Sequence, residues 1–404
     1  MRLETCIRKW LGLKAHRVRL VRESPTELVA EIEAIPGRLP RCGCCGQAVR
    51  HTKGRMRLRR WRDLTIRTLP LVLTYTPRRV LCPTCGVRVE QVPWADRWSR
   101  VTKTLGRAVA ELSRRADLTT VASHFGIGWK TVAAVIGRVV AWGLAKRRKK
   151  PLRVIGIDEV SRKKGHRYLT LVYDLERGQL VWVGKDRTTE TLSRFFDELG
   201  SRRSKNLQAV CMDMWAPYYD VVRQRAKKAT ICFDRFHVVR HLSNALDEVR
   251  RALVRKLSEP AKALVKGTRF VLLKNPWNLT PKQKRSLREL VRSNSPLSRA
   301  YYLKEDFQRF WDYIHEGWAQ KHLKQWLWWA SHSRLQPFKD FAGMIRKHLD
   351  GILAWTNLRI SNGALEGMNN KVKLVSHRSY GFRNDERYIE AIYHNCGKLP
   401  LPEA

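Results

Sequence analysis

The stretch VIGIDE at Val154–Glu159 opens the part of the chain whose pattern decides the fold class. Its apolar run ends directly at Asp158, as expected of a short strand that is buried on both faces. Further apolar or alternating runs follow, separated by turns or by residues with helical spacing. The predicted strands are Val154–Ile157, Tyr168–Leu175, Gln179–Val183, Leu207–Met212 and Ala229–Cys232, and the predicted helices among them are Thr188–Leu199 and Trp215–Ala226.

Three consecutive strands followed by helix, strand, helix and strand form the element order of a ribonuclease-H-like domain. Such a domain is a mixed sheet with helices on its faces. The hydrophobic fraction of 43% is ordinary for a folded protein, and 404 residues leave room for two or three domains. The sequence therefore predicts a multi-domain chain with this α/β domain in its middle.

The charge of the chain indicates a polyanionic partner. There are 80 Lys+Arg against 36 Asp+Glu, a formal net charge of +44, and nucleic acid is the natural counterpart of such a chain. Anionic membrane is the rival polyanion, but the longest apolar runs are too short to span a bilayer. The first residues also lack the apolar core and cleavage site of a signal peptide. We therefore expect a cytoplasmic protein without membrane contact, associated with the nucleoid when bound to DNA.

Helical spacing continues from about residue 237 to residue 357, which predicts an all-helical insertion. Tryptophans gather in this region, and aromatic side chains at helical spacing are more often core than a surface that stacks on bases. The tryptophans expected in that core are Trp311, Trp318, Trp326, Trp328 and Trp329.

Two aspartates follow apolar runs without an intervening turn, Asp158 and Asp213. We expect each to end its strand, at corresponding ends of the first and fourth strands of the sheet. Carboxylate oxygens are ligands that Mg²⁺ prefers, and phosphoryl transfer uses two divalent ions about 3.5–4 Å apart. Either aspartate alone is explained by a turn after a strand, whereas the pair favours a metal site.

A third carboxylate is predicted on a later helix, within SNGALEGMNNKVKL at Ser361–Leu374. Asn370 and Lys373 follow Glu366 by four and seven residues, so all three share one helical face. That face offers a metal ligand, a polar positioning group and a cation that binds phosphate. The alternative is an exposed amphipathic helix without a site.

The spacing of the cysteines predicts one structural zinc ion. Two Cys-x-x-Cys pairs, each followed by Gly, supply the four sulfurs of a tetrahedral site. Cys44 lies between two of these cysteines and is expected to be a bystander, and a strand-like run at Leu69–Thr74 suggests a zinc ribbon. A redox pair or chance clustering is the alternative. The four predicted ligands are Cys42, Cys45, Cys82 and Cys85.

The segment LTTVASHFGIGWKTVAAVI at Leu118–Ile136 has the form of a helix-turn-helix, with Gly126 ending the first helix. Trp129, Lys130 and Thr131 would begin the second helix, where a recognition helix meets base edges. A plain helical hairpin is the alternative. The basic run KRRKK at residues 146–150 follows, either as a solvated hinge or as a basic linker between DNA-facing modules.

Four segments together resemble the transposases of bacterial insertion sequences, in particular the ISL-three type. They are GIDE at Gly156–Glu159, CMDMWAPYY around Asp213, CFDRFHVVRHL at Cys232–Leu242, and SNGALEGMNN with RSYGF at Arg378–Phe382. The resemblance covers nearly the whole chain. It implies that Asp158, Asp213 and Glu366 are a catalytic triad that binds two Mg²⁺ or Mn²⁺ ions, with a large helical insertion before the glutamate.

The resemblance also implies the activity and the partners. A transposase of this type binds the terminal inverted repeats of its element, cleaves the phosphodiester at the element's end and joins the freed end to target DNA. Double-stranded DNA is then the partner, and homo-oligomers on DNA are expected. Lys373 and Arg378 are predicted DNA contacts, and Asn370 supports the site. Asp234 and His237 match an Asp-x-x-His motif, with His237 steadying the active site, contacting DNA or serving the core.

The predicted fold class is multi-domain α+β, divided into five segments. These are a zinc ribbon at 1–95, a helix-turn-helix domain with its basic linker at 96–150, the first part of the catalytic domain at 151–240, the helical insertion at 241–356, and the final catalytic helix with the tail at 357–404. Two other functions fit parts of the pattern: a DNA-binding regulator with a vestigial nuclease domain, and a structure-specific nuclease. Three acids at suitable positions argue against the vestigial domain.

Overall fold

The computed structural model describes residues 3–148, 150–163, 167–259, 262, 265–293, 295–359 and 362–403. Packing divides the chain into two compact units, residues 1–148 with 374–404 and residues 149–373. The first division falls inside the basic run at 146–150. Residues 374–404, which the sequence analysis groups with the final catalytic helix, pack with the first unit instead.

The N-terminal part of the first unit contains two sheets. After helix α1 (Leu3–Trp10), the strands are β1 (His16–Glu23), β2 (Leu28–Ala34), β3 (Thr52–Arg55), β4 (Arg59–Ile66), β5 (Leu69–Tyr75), β6 (Arg78–Cys82) and β7 (Gly86–Val89). One sheet has the order β1-β2-β5-β4 and the other the order β3-β6-β7. The assignment of Leu69–Thr74 to a zinc ribbon is therefore wrong, because Leu71 and Leu73 of β5 pack around Trp61 in the core of the four-stranded sheet.

The rest of the first unit is helical. Its helices are α2 (Lys103–Ser113), α3 (Leu118–Phe125) and α4 (Trp129–Lys146), together with the last helix of the chain, α16 (Asp385–Cys396). Arg387 on α16 donates a hydrogen bond to the carbonyl of Ala133 on α4, and His394 Nε2 donates one to the carbonyl of Ala110 on α2. No single helix among the described residues is long and apolar enough to cross a membrane, and α3 with α4 reaches that length only as a pair bent by 109°.

The second unit is built on a five-stranded sheet: β8 (Val154–Lys163), β9 (Arg167–Asp174), β10 (Gln179–Lys185), β11 (Ala209–Met212) and β12 (Thr230–Phe233). The strand order is β10-β9-β8-β11-β12, with the first three antiparallel and the last three parallel. The prediction that the first strand ends before Asp158 is wrong. Pairing with β9 continues as far as Lys163, so Asp158 lies in mid-strand, beyond the last residue that pairs with β11.

Helices α5 (Thr189–Leu199), α6 (Ser201–Ser204) and α7 (Ala216–Arg225) follow the strands, and α5 and α7 pack on the sheet through a common apolar core. The predicted helical region contains α8 (Arg235–Lys256), α9 (Arg269–Leu273), α10 (Pro281–Ser293), α11 (Ser295–Arg309), α12 (Glu316–His332), α13 (Gln336–Lys347) and α14 (Leu349–Leu358). Their shared core contains Trp311 and Trp326, with Trp329 packed against it. Trp318 and Trp328 are 61% and 66% exposed, because they lie on the outer face of α12, so the expectation that they are core residues is wrong.

Helix α15 (Asn362–Arg378) begins in the second unit and packs closely on β8. A Cβ atom at Gly156 would lie 2.6 Å from Leu365 Cδ2 and 2.9 Å from Leu175 Cδ2, closer than real side chains come. The absence of a side chain at position 156 therefore allows the predicted catalytic helix to approach the strand that carries Asp158.

Candidate active site and DNA-binding elements

Three aspartates lie in one row across the parallel strands of the second unit. Cys211 on β11 pairs with Gly156 on β8 and with Cys232 on β12. Two positions further along each chain stand an aspartate within β8 and the aspartates that directly follow β11 and β12. Neighbouring strands are about 4.8 Å apart, so carboxylates in one row are close neighbours. The row contains Asp158, Asp213 and Asp234.

Asp158 is held by two hydrogen bonds. Its Oδ1 accepts from the backbone N–H of Glu159 at 2.7 Å, and its Oδ2 accepts from Asn369 Nδ2 at 2.5 Å. Tyr173 donates its hydroxyl proton to Asn369 Oδ1 at 2.8 Å, which orients the amide. The sequence analysis missed Asn369 and named Asn370, which is exposed. The available signal was that Asn369 follows Leu365 by one helical turn, on the face that packs against β8.

His237 lies between the other two aspartates of the row. Its Nδ1 is 3.4 Å from Asp234 Oδ2 and 3.8 Å from Asp213 Oδ1, and this buried atom has no hydrogen-bond partner within the described residues. Asp234 caps α8 by accepting from the N–H of Phe236 at 2.8 Å. The pKa of Asp234 lies above its ordinary value because burial raises it by more than the charge of His237 lowers it. Arg240 brings a guanidinium 4.0 Å from the second oxygen of Asp213.

Glu159 is a partly buried acid, next to Asp158 in the sequence, that the sequence analysis did not single out. Burial raises its pKa to about 7, while Arg187 lowers it and the charges of Asp158 and Asp213 raise it. Arg187 Nε is 3.0 Å from Glu159 Oε1, and its guanidinium stacks over Trp215 at 4.4 Å. The GIDE motif places this second acid directly after Asp158.

Glu366 lies on α15 between Leu365, which contacts the strand, and Asn369, which binds Asp158. Its side chain is exposed, as are those of Asn370 and Lys373 on the same helical face. In the part of the chain that the structure describes, no three carboxylates or imidazoles lie mutually within 4.8 Å. Among the described residues, the structure therefore does not bring Asp158, Asp213 and Glu366 together into a closed group of ligands.

The four predicted zinc ligands do come together. One sulfur from each of Cys42, Cys45, Cys82 and Cys85 lies within 4.8 Å of the others, and the Cys45 and Cys82 sulfurs are 3.6 Å apart. A tetrahedral site with zinc–sulfur bonds of about 2.3 Å requires sulfurs roughly 3.8 Å apart. The glycines after each pair, Gly46 and Gly86, have φ of +75° and +70°, the left-handed conformation that the turns need.

The clustered thiols differ in pKa. Burial raises the pKa of Cys42, but the backbone N–H groups of Cys45 and Cys44 and the neighbouring thiols lower it by more, to about 7. The pKa values of Cys45 and Cys85 are raised, in part by the neighbouring thiols. A thiol that deprotonates near neutral pH is a better metal ligand, since the thiolate is the coordinating form. Cys44 is outside the group of four, as predicted. The cluster fits a zinc ion.

Helices α3 and α4 form the predicted helix-turn-helix. They are bent by 109° and joined by three residues, of which Gly126 has φ +60°. Trp129 is 56% exposed at the start of α4, and Lys130 lies over its ring at 5.9 Å. Thr131 is half-buried. The N-terminus of the second helix therefore presents an aromatic and a basic side chain to solvent.

Arg378 makes hydrogen bonds inside the first unit. Its guanidinium donates to the carbonyl of Arg114 at 3.3 Å and to Asn395 Oδ1 at 3.1 Å. The contact of Arg378 with DNA stays a prediction. Two residues later Tyr380 is 99% exposed with φ +52°, so the RSYGF motif displays a tyrosine at the surface.

The comparison with known families identifies the class of the protein as a DNA transposase of the DDE type. Residues 155–392 match a family model of DDE transposases of the ISL3 family described as "Transposase", and residues 90–140 match the "Helix-turn-helix domain of transposase family ISL3". The chain belongs to the ISL3 transposase family. It is an enzyme that binds DNA and whose DDE domain uses divalent metal ions.

Relatives of similar length support this membership. The transposase for insertion sequence element IS1001 of Bordetella parapertussis is 31% identical over 384 residues, which cover 94% of both chains. The transposase for insertion sequence element IS1557 of Mycobacterium tuberculosis is 34% identical over 389 residues, which cover 90% of this chain and 87% of the relative. These matches do not favour a DNA-binding regulator with a vestigial nuclease domain.

Proposed function

We propose that Asp158, Asp213 and Glu366 are the catalytic carboxylates and that they bind two Mg²⁺ or Mn²⁺ ions. The observation that carries this proposal is the hydrogen bond from Asn369 to Asp158, because it fixes the helix of Glu366 against the row of aspartates. Two divalent ions in such a site would activate the attacking oxygen and stabilise the leaving oxygen. The reaction is hydrolysis of the phosphodiester at the element's end, followed by attack of the freed 3′-hydroxyl on target DNA.

The residues around the acids have separable tasks. Asn369 and the backbone N–H of Glu159 each donate to one oxygen of Asp158, and together they fix the orientation of its carboxylate. Arg240, beside Asp213, and the exposed Lys373 bind phosphate oxygens of the DNA. His237 lies between Asp213 and Asp234 and positions both carboxylates.

We further propose that the catalytic fold is ribonuclease-H-like and is interrupted by the helical insertion. The strand order β10-β9-β8-β11-β12 supports this fold. The five predicted segments, with a zinc ribbon at the N-terminus, remain our proposal for the domain layout. The four-cysteine cluster binds one structural zinc, and Trp129, Lys130 and Thr131 contact the terminal inverted repeats. Transposition joins paired ends, so the active form on DNA is a homo-oligomer.

Metal binding tests the proposal without depending on DNA cleavage. We expect calorimetric titration of Mn²⁺ to show binding to the full-length protein that Asp158→Asn and Asp213→Asn each weaken at least tenfold. Asp220→Asn is the matched control, since Asp220 is exposed on α7. Equal Mn²⁺ affinity in all four proteins would overturn the proposed carboxylate site.

A further inference from the structure

A basic cleft of about 800 Å³ lies in the first unit, away from the recognition helix itself. Strand β4, the end of β7 and the loop at residues 95–103 line it. Six of its lining residues are basic: Arg59, Arg60, Arg88, Arg97, Arg100 and Lys103. We refer to it below as the basic cleft.

The positive charge of the basic cleft is largely uncompensated. One of the two acids that line it, Glu90, is buried and forms a salt bridge with Arg78 at 2.8 Å. Among the six basic residues described above, only Arg60 forms a salt bridge with a carboxylate, that of Glu27. Within the described residues the other five bases form no salt bridge with a carboxylate. A concave surface with this charge attracts a polyanion.

Trp98 stands at the edge of the basic cleft in an unusual conformation. Its φ is +63°, a left-handed backbone that is strained for a bulky side chain, and the side chain is 73% exposed. Arg97 lies over the indole ring at 5.5 Å. Strain of this kind persists only where the surroundings enforce it, and it is concentrated at functional sites. An exposed indole beside uncompensated arginines is a surface on which a nucleotide can stack.

The loop that carries Trp98 is fixed from both sides. Arg59 of β4 donates to the carbonyl of Ser99 at 3.1 Å, and Arg138 of α4 donates to Ser99 Oγ at 3.3 Å. Arg62 of β4 also donates to the carbonyl of Phe125 at the end of α3, at 3.4 Å. Both helices of the helix-turn-helix are therefore bonded to segments that line the basic cleft, so the cleft lies near the proposed recognition helix.

We propose that the basic cleft is a second DNA-binding site, which takes backbone phosphates of duplex DNA next to the sequence read by α4, while Trp98 stacks on a base that is unstacked at that point. The inference rests on the proposed recognition of the terminal repeats and deepens it. The phosphates bind Arg97 and Arg100, and the strained loop holds the indole outward before DNA arrives.

The salt dependence of binding tests the phosphate contacts. We would measure the affinity of the full-length protein for terminal-repeat duplex across a range of salt concentrations. Log K falls as log salt rises, and the loss of two phosphate contacts in Arg97→Ala/Arg100→Ala makes this negative slope shallower by about 1.8. Arg8→Ala/Lys9→Ala removes two exposed charges from α1, outside the cleft, and is the matched control. An unchanged slope in the cleft variant would overturn the phosphate site.

Substitutions of Trp98 test the stacking. Trp98→Gly relieves the positive φ, so its melting temperature should equal or exceed that of the wild type, while its affinity for DNA falls about tenfold. Trp98→Phe retains a stacking ring and recovers most of the affinity. Trp10→Ala removes another exposed tryptophan and should bind normally.

The outcomes also separate this inference from repeat recognition. If Trp98→Gly and Arg97→Ala/Arg100→Ala bind the repeat as the wild type does, the cleft is excluded and recognition by α4 stands. If the wild-type protein does not prefer repeat DNA over random duplex, both proposals are overturned.

Discussion

Asn369 on α15 donates a hydrogen bond from Nδ2 to Oδ2 of Asp158 in the middle of β8, at 2.5 Å. The two residues are far apart in the sequence, and Tyr173 on the neighbouring strand completes the contact by donating to the amide oxygen. The bond joins the helix that carries Glu366 to the strand that carries Asp158. A displacement of the helix would therefore also change the orientation of the Asp158 carboxylate.

Replacing Asn369 should impair catalysis without impairing DNA binding. Residues that orient a metal ligand typically contribute about 10–100-fold to metal affinity or activity, so Asn369→Ala should lower the cleavage rate and the Mn²⁺ affinity by about tenfold or more. Tyr173→Phe should have a smaller effect in the same direction. Asn370→Ala, at the next position, is the control. A larger loss of cleavage rate in Asn370→Ala than in Asn369→Ala would contradict the assignment of Asn369 as the residue that orients Asp158.

Removing zinc should destabilise the N-terminal part of the chain. Because binding of a structural metal is coupled to folding, Cys42→Ser or Cys82→Ser should abolish the zinc content and lower the melting temperature by about 5 °C or more. Cys44→Ser is the matched control, since Cys44 is exposed and outside the cluster. Zinc content can be measured by atomic absorption. Full zinc occupancy in Cys82→Ser would contradict the four-cysteine site.

The recognition helix should determine sequence preference. Trp129→Ala/Lys130→Ala should weaken binding to the terminal repeat about tenfold and leave binding to random duplex nearly unchanged, because base contacts carry specificity. Trp142→Ala, at the other end of α4, should leave the preference intact. Competition binding with repeat and random duplexes measures the ratio. If the double variant kept the wild-type ratio of affinities for repeat and random duplex, the start of α4 would not be the element that recognises the repeat.

His394 should make stability depend on pH in the acid range. Its pKa is lowered from 6.5 to about 4: burial is the largest cause, the hydrogen bond to Ala110 opposes it, and the charges of Arg114 and Arg378 add to the lowering. Above pH 6.5 the ring is neutral in both states, and its contribution to stability is complete. As the pH falls below 6.5 the unfolded chain takes up the proton first, so stability falls until about pH 4, by up to about 1.4 kcal/mol per pH unit.

The replacement His394→Gln removes this titration. Chemical unfolding at a series of pH values should show a smaller loss of stability between pH 6.5 and pH 4 in the variant than in the wild type. The other acid-titrating groups are common to both proteins, so the difference between the two curves reports His394. Parallel curves would contradict a buried neutral imidazole.

Much of the fold could be predicted from the sequence because its signals are local. The strand Gln179–Lys185 and the helix Thr189–Leu199 begin within a residue or so of their predicted starts, since apolar periodicity and turn residues act over short distances. The zinc ligands and the turn at Gly126 were predictable for the same reason. Asp158 and Asp213 were expected to be neighbours because each follows an apolar run, and the strands that carry or precede them are paired in parallel as far as Gly156 and Cys211.

The remainder depends on contacts between distant parts of the chain. The spacing of Asn369 from Leu365 selects it over Asn370 only once Leu365 is known to pack on Gly156, and that contact joins distant parts of the chain. The apolar run at β5 predicts a strand but not the sheet to which it belongs. The left-handed backbone of Trp98 is set by hydrogen bonds to Ser99 from β4 and α4, which no local pattern reveals.

The central claim is that Asp158, Asp213 and Glu366 carry out metal-dependent cleavage. The most direct measurement uses labelled duplex with the terminal repeat, incubated with wild type, Asp213→Asn or Asp220→Asn, in magnesium or in chelator. We predict nicking at the repeat boundary by the wild type and Asp220→Asn in magnesium only, and loss of at least a thousandfold in Asp213→Asn with repeat binding retained. Undiminished cleavage by Asp213→Asn in magnesium would contradict the account.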